Sequence, residues 1–449
     1  MNIMIIRFKK NSKTILLGDD KLTIYVVKSE DTLWSIARQF GVPVDTIIDA
    51  NGIRDLPYLV IGQALVIPRE STTYTIKAGD SLWSVARKFG ISADRLAEFN
   101  GISNPALIYP GLQIKIPKEV KGYGSIEINA YAEQEAGAKA AQDVVDVAKY
   151  LTYASPFSYQ VNEDGTLNTI NDEAIIQAAR SNNVAPLMIV TNFKNGNFDT
   201  QLAHQILADE NIQQTLINNI INTMKNKEYY GLNIDFERID PTDRQLYNNF
   251  LRKITPQLHN NNFVISTALA PKTYDITEGA WHGAHDYRAH GEIVDFVIIM
   301  TYEWGWSGGP PMAVAPIGEV KKVLDYAVSV IPKDKVMMGA PLYGYDWALP
   351  YTPGGQWAKR ISPDEAVRLA GTVGAEIEFD EKAQSPHFNY IDKTGISHVV
   401  WFEDARSAEA KNKLAASMGL KGISYWVLGE PFVQNWTLLD NMFNIVKKI

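Results

Sequence analysis

The chain has 449 residues, 46% hydrophobic and 21% charged, which suits a soluble globular protein and is too long for one small core. Its net charge of −8, with no basic block, argues against nucleic acid and anionic membranes, which are met by clustered Lys and Arg. There is no cysteine, which excludes disulfides and thiolate metal sites.

At the start of the chain, the apolar run Ile3–Ile6 precedes Arg7, Lys9 and Lys10. A secretory signal has the opposite order and a longer run, and no stretch approaches the ~20 apolar residues of a membrane span. Residues 1–22 are expected to form an N-terminal extension without a classical signal peptide.

A repeat follows. Tyr25-Val-Val-Lys-Ser-Glu-Asp-Thr-Leu-Trp-Ser-Ile-Ala-Arg38 recurs as Tyr74-Thr-Ile-Lys-Ala-Gly-Asp-Ser-Leu-Trp-Ser-Val-Ala-Arg87, with Trp34 and Trp83 49 residues apart. Asn51 and Asn100, Gly62 and Gly111, and Pro68 and Pro117 keep that offset. Each unit reads as strand, helix, helix, strand. Asp31 or Asp80 is expected to cap the first helix, and Asn51-Gly52 or Asn100-Gly101 to end the second in left-handed geometry. The tryptophans are expected to fill the small cores. Both units, over 23–69 and 72–118, resemble LysM modules, βααβ folds that bind polymers containing N-acetylglucosamine. The resemblance implies sugar contacts on the loop after the first strand and on the loop between the second helix and the last strand. Two copies on one chain would multiply effective concentration on a repeating polymer.

From about residue 122 to 449, apolar β-rich runs alternate with amphipathic segments such as Asn211–Asn226 and Asp243–His259. The runs are Ser125–Ala132, Tyr150–Tyr159, Pro186–Phe193, Tyr230–Glu237, Phe263–Ala270, Val294–Tyr302, Lys335–Tyr343 and Gly422–Val427. Eight strands with helices between them predict an α/β fold, a parallel (β/α)₈ TIM barrel. A doubly wound sheet would carry a glycine-rich turn after its first strand, and Asn129-Ala-Tyr-Ala-Glu-Gln has none. Between the seventh and eighth strands, about 349–406, Phe379-Asp-Glu, Pro386–Ile391 and His398–Phe402 predict a small α+β insertion walling one side of the barrel mouth.

Catalytic groups of such barrels stand at the carboxyl ends of strands. In Tyr230-Gly-Leu-Asn-Ile-Asp-Phe-Glu237, alternation puts Asn233, Asp235 and Glu237 on one face and Leu232, Ile234 and Phe236 on the other. Two inward carboxylates in line are costly unless they work. His282, His285 and His290 match no helical metal pair, so the run Trp281–His290 predicts a loop lining the cleft, with no metal and no cofactor.

The strand resembles the glycoside hydrolase family 18 motif Asp-Gly-x-Asp-x-Asp-x-Glu. The resemblance implies that Glu237 protonates the leaving oxygen and that Asp235 orients the substrate acetamide and raises the Glu237 pKa. Such enzymes are substrate-assisted: the 2-acetamido oxygen attacks C1, so the sugar is N-acetylated and configuration is retained. Tyr230 and Asn233 stand where the motif has Asp, and Ile189-Val-Thr-Asn-Phe193 replaces the family's Ser-x-Gly-Gly. Met300-Thr-Tyr-Glu-Trp304 resembles the family's Met-x-Tyr-Asp, implying that Tyr302 holds the acetamide oxygen while Met300, Glu303 and Trp304 meet substrate. Trp426 would floor the −1 sugar, and Tyr131, at the end of the first strand, is expected to bind substrate too.

The two repeats and the barrel together resemble the cortical-fragment-lytic N-acetylglucosaminidases of bacterial endospores. That implies an endo-acting hydrolase of the β-1,4 bond after N-acetylglucosamine in cortex peptidoglycan, held by repeats and cleft, monomeric, and located in the spore coat and cortex layers. Two alternatives stand beside it: a chitin or chito-oligosaccharide hydrolase, and a barrel that binds glycan without cutting it.

Overall fold

The computed structural model describes residues 22–449 apart from 57, 69–70, 90, 103, 105–106 and 118–121, so the extension expected over 1–22 falls almost wholly outside the described residues. Eight strands form the larger body: β1 (Ser125–Glu133), β2 (Tyr153–Phe157), β3 (Ala185–Thr191), β4 (Gly231–Asp235), β5 (Val264–Leu269), β6 (Phe296–Ile299), β7 (Val336–Pro341) and β8 (Gly422–Trp426). They pair in parallel in the order β4-β5-β6-β7-β8-β1-β2-β3, and β3 pairs β4 to close the barrel. Strands buried on both faces need continuous apolar sequence, as in the Ala185–Val190 and Phe296–Ile299 runs.

Inside the barrel, Tyr153, Leu187, Ile189, Phe296, Ile298 and Met337 share one core, with Tyr153 stacked on Phe296 at 5.6 Å. The outward residues of β4 meet the helix Arg244–His259: Phe236 stacks on Tyr247 and Phe250, at 6.0 and 6.4 Å. Alternation along β4 therefore divides as expected, with Leu232, Ile234 and Phe236 apart from the polar face. After β7 comes an antiparallel five-stranded sheet, Gly344–Ala348, Lys359–Ile361, Glu378–Asp380, Ser385–Ile391 and Ser397–Trp401, with the helix Pro363–Val373 packed against it. It starts at Gly344, ahead of the expected 349. Among the described residues, no helix is long and apolar enough to cross a membrane.

The first repeat pairs strands Leu22–Val26 and Ala64–Pro68 around helices Leu33–Phe40 and Val44–Asn51. The second pairs Ser71–Thr75 with Gln113–Pro117 around Leu82–Phe89 and Ala93–Phe99. Most of the first repeat forms one compact unit with the barrel, whereas the second repeat belongs to another. Gly52 and Gly101 take the left-handed geometry expected of them, at φ 66° and 63°.

Each repeat's Asn ties the end of its second helix to the closing strand. Asn51 exchanges two hydrogen bonds with the Val66 backbone, both 2.7 Å, and Asn100 does the same with Lys115. Two expectations need correction. The first helix is capped not by Asp31 but by Thr32, whose hydroxyl accepts the Ser35 N–H at 3.0 Å. Ser81 does the same for Ser84, again in place of the expected Asp80. Asp31 instead accepts Lys28 N–H and Tyr25 O–H, bracing the turn before the helix. The tryptophans are not core either: Trp34 is 64% exposed and Trp83 63%, each under an arginine, Arg38 or Arg87. Ile36 and Ala37, like Leu82, Val85 and Ala86, form the buried stripe, and a residue next to such a stripe points about 100° away.

Candidate active site

The polar face of β4 builds the site from the bottom up. Asn233 is wholly buried; its Nδ2 donates to Ser266 Oγ at 2.9 Å and its Oδ1 accepts the Tyr131 hydroxyl at 3.3 Å. Above it Asp235 is buried, and its Oδ1 has no hydrogen-bond partner. Desolvation disfavours the charged carboxylate and pushes Asp235 up to about 7. Glu237, also buried, is held well above the usual carboxylate range, first by burial and then by the Asp235 charge; Glu303 adds to this, while the Arg238 guanidinium opposes it. Two carboxyls so placed titrate as a pair, and ionising one makes it harder to ionise the other.

Two residues off the strand fix where Glu237 stands. Asn192, just past β3, donates Nδ2 to the Glu237 carbonyl at 2.8 Å and accepts the Glu237 N–H at 3.0 Å. One side chain thereby satisfies both backbone groups of a residue that has left the ladder. His285 ties two strand exits together: Nε2 donates to Phe236 O at 3.0 Å while Nδ1 accepts Ala270 N–H at 2.8 Å. Those two bonds require a neutral ring, and burial pushes its pKa down to about 4. The expectation of a cleft-lining loop over Trp281–His290 holds at Trp281, which lines the cleft, and needs correction for two of the histidines. His285 and His290 are buried, and His290 lies on the helix Tyr287–Ile293 beside Thr267, at 3.0 Å. Among the described residues, no cluster of His, Asp and Glu could hold a metal ion.

The carboxyls open into a cleft of about 400 Å³. Tyr131, Asp235, Glu237, Met300, Tyr302, Glu303 and Trp426 all line it. Trp426 ends β8 and lies edge-on to Phe157 and Tyr131, at 4.8 and 5.3 Å. The peptide bonds Trp426–Val427 and Phe157–Ser158 are both cis. Burial raises the Tyr302 hydroxyl well above its ordinary range, helped by Tyr131 and by both carboxyls, so it stands protonated as a donor beside them. Glu303 accepts hydrogen bonds from Tyr343 at 2.5 Å and Tyr345 at 2.8 Å, and burial raises its pKa in spite of them. Tyr345 belongs to the insertion, which thus reaches the site.

The remaining two expected residues do not line the cleft. Asn233 lies beneath the carboxyls, whereas half-buried Trp304 donates its backbone N–H to Val314 O at 3.1 Å. The cleft also has walls that sequence reasoning missed, notably Phe157, Phe193 and Phe198. Phe193 and Phe198 face each other at 5.2 Å across a small hairpin, Phe193–Lys194 against Asn197–Phe198. The signal was available. An amide and an aromatic directly follow the apolar β3 run, in the segment where the family's Ser-x-Gly-Gly is missing.

Residues 128–430 match the family model for glycosyl hydrolases family 18, and residues 25–68 and 74–117 match that for the LysM domain. The chain is 50% identical over 431 residues to the cortical fragment-lytic enzyme of Bacillus subtilis (strain 168), covering 95% of this chain and 99% of that one. It resembles the crystal structure of the spore cortex-lytic enzyme SleL of Bacillus megaterium QM B1551 with a TM-score of 0.83 at 43% identity, covering 96% of this chain and all of the other. A chitinase from Chromobacterium violaceum ATCC 12472 matches at a TM-score of 0.65 and 25% identity, over 71% of this chain and 99% of its own.

Proposed function

The chain belongs to glycosyl hydrolase family 18, and from that premise we propose that it is a retaining, substrate-assisted endo-β-N-acetylglucosaminidase acting on spore cortex peptidoglycan. One observation carries the reading: Asp235 and Glu237, both buried and both raised in pKa, line one cleft with Tyr302 and Trp426, and one Asp235 oxygen has no hydrogen-bond partner.

In this mechanism Glu237 is the general acid. The 2-acetamido oxygen of the −1 sugar attacks C1, the C1–O bond breaks with its electron pair on the leaving oxygen, and Glu237 supplies the proton. Asp235 takes the acetamide N–H on its free oxygen, and the Tyr302 hydroxyl holds the acetamide oxygen in line. Water then adds to C1 from the vacated side, giving its proton to Glu237, while the bond from C1 to the acetamide oxygen breaks and its electron pair returns to the acetamide, so configuration is retained. Trp426 offers an apolar face to the sugar's C–H surface. Asn233 is a positioning residue, holding Tyr131 and Ser266 below the pair.

The cortex-lytic character of the relatives, together with the LysM domains, supports peptidoglycan as the polymer and the spore's outer layers as the place of work. Glu237→Gln is expected to abolish turnover of cortex fragments while retaining their binding. A near-normal rate in that variant would contradict the assignment. Turnover of chito-oligosaccharides as fast as that of cortex fragments would favour the chitin reading instead.

A further inference from the structure

The two repeats share one plan but stand in different surroundings. In the first, the loop from Gly52 to Gln63, joining the second helix to the closing strand, is pressed into the barrel body. Val60 is 4% exposed and packs in one core with Ile361, Ile377 and Phe388 of the insertion. Ile377 N–H donates to Ile61 O at 2.9 Å, and a Cβ on Gly62 would meet the Ile377 carbonyl oxygen at 1.8 Å. Gln434 donates to Asn51 Oδ1 and to Ala64 O, at 2.9 and 2.7 Å, and Arg406 reaches Gly62 O at 3.2 Å.

Among the described residues of the same loop in the second repeat, large apolar side chains stand exposed. Tyr109, the counterpart of Val60, is 60% exposed, and Leu107, the counterpart of Tyr58, is 70% exposed. A Cβ on Gly101 or Gly111 would meet nothing within 4 Å, whereas one on Gly52 would run into Val433 at 2.6 Å. Backbone geometry is alike, with φ of 82° at Gly62 and 92° at Gly111, so the exposed side chains do not follow from a different turn.

We infer that the repeats have divided their duties: the first is a fixed part of the catalytic body, and glycan tethering rests on the second, through the loop carrying Leu107 and Tyr109. The occupant follows from chemistry visible in the first repeat. There the loop accepts an amide N–H on the Ile61 carbonyl while Val60 packs against the apolar side chain of the same residue, Ile377. An acetamido group offers the same pair, an N–H beside a methyl. The exposed Tyr109 ring adds a face for the sugar ring that carries it. An N-acetylated polysaccharide therefore fits the loop of the second repeat, while the barrel already fills that of the first. Tethering then has single-site strength, without the gain of two linked sites. The inference rests on the glycan reading above but not on which bond is cut.

The test uses the full chain carrying Glu237→Gln, with a soluble chito-oligosaccharide as probe and amide hydrogen exchange as readout. Exchange over 101–112 should slow when the probe is added, whereas 52–63 should be slow already and stay unchanged. Slowing over 52–63, or none over 101–112, would overturn the division. In the same background, Tyr109→Ala should weaken retention on purified cortex sacculi by about tenfold, and Val60→Ala should lower the melting temperature while changing retention by no more than about twofold. Equal loss of retention in both would also overturn it. No readout depends on turnover, so a wrong bond assignment would leave these outcomes intact.

Discussion

Asn192 and Glu237 are joined by two hydrogen bonds of opposite sense, the amide nitrogen giving to the Glu237 carbonyl and the amide oxygen taking its N–H. The carboxyl proposed to meet the leaving oxygen is therefore held in place by a residue on the neighbouring strand's exit. Asn192→Ala should lower kcat by about tenfold to a hundredfold with KM changed by no more than about twofold, as expected when a reacting group is displaced while substrate binding is left intact. Steady-state kinetics on cortex fragments separates these. A rise in KM alone would mean that Asn192 acts on substrate instead.

The buried acids tie stability to pH. In the unfolded chain Asp235 and Glu237 ionise near their ordinary values of 3.8 and 4.5, and in the folded protein both are raised, Asp235 to about 7. Between those limits the folded state holds more protons than the unfolded one, so stability falls as pH rises from about 4 through 7. Glu237→Gln removes a charge that the fold accommodates poorly. Its melting temperature should exceed that of the unaltered protein at pH 8 and match it at pH 4, as read by calorimetry across that range.

Asn233 stands where the family motif has an acid, and a charge placed there would act on the pair directly above. Asn233→Asp should move both limbs of the pH–rate profile to higher pH, because a third negative charge disfavours ionisation of Asp235 and Glu237. An unmoved profile would show that position 233 is electrostatically remote from the reaction.

His285 is a neutral pin between two strand exits, not a titrating or metal-binding group. His285→Ala leaves a buried carbonyl and a buried N–H without partners, and should cost about 1–3 kcal/mol of stability. Turnover should fall as well, through Phe236 and the adjoining Glu237. Chemical denaturation and turnover at fixed pH check both, and prior dialysis against a chelator should change neither.

Much of the fold was legible because parallel barrel strands are long apolar runs separated by amphipathic helices, and all eight fell within or beside the runs read from sequence. Period-two alternation was enough to place Asn233, Asp235 and Glu237 on one face. Pairings between strands distant in sequence were not legible. Asn192 reaches Glu237 across 45 positions and His285 reaches Phe236 across 49, and nothing local to either residue announces the partner. The Trp34 and Trp83 expectation failed for a different reason. A large apolar side chain does not by itself say which helical face is buried, and Ile36 and Ala37 hold that face. The unequal setting of the two repeats was equally hidden, since Val60 and Tyr109 occupy matching places in near-identical plans.

Substrate-assisted cleavage after N-acetylglucosamine is tested most directly by the identity of the new reducing end. Cortex fragments digested by the enzyme, reduced with borohydride and analysed by mass spectrometry should carry the reduced end on N-acetylglucosamine, because the sugar whose acetamide attacks C1 becomes the end released. Reduced ends on muramic acid would contradict it.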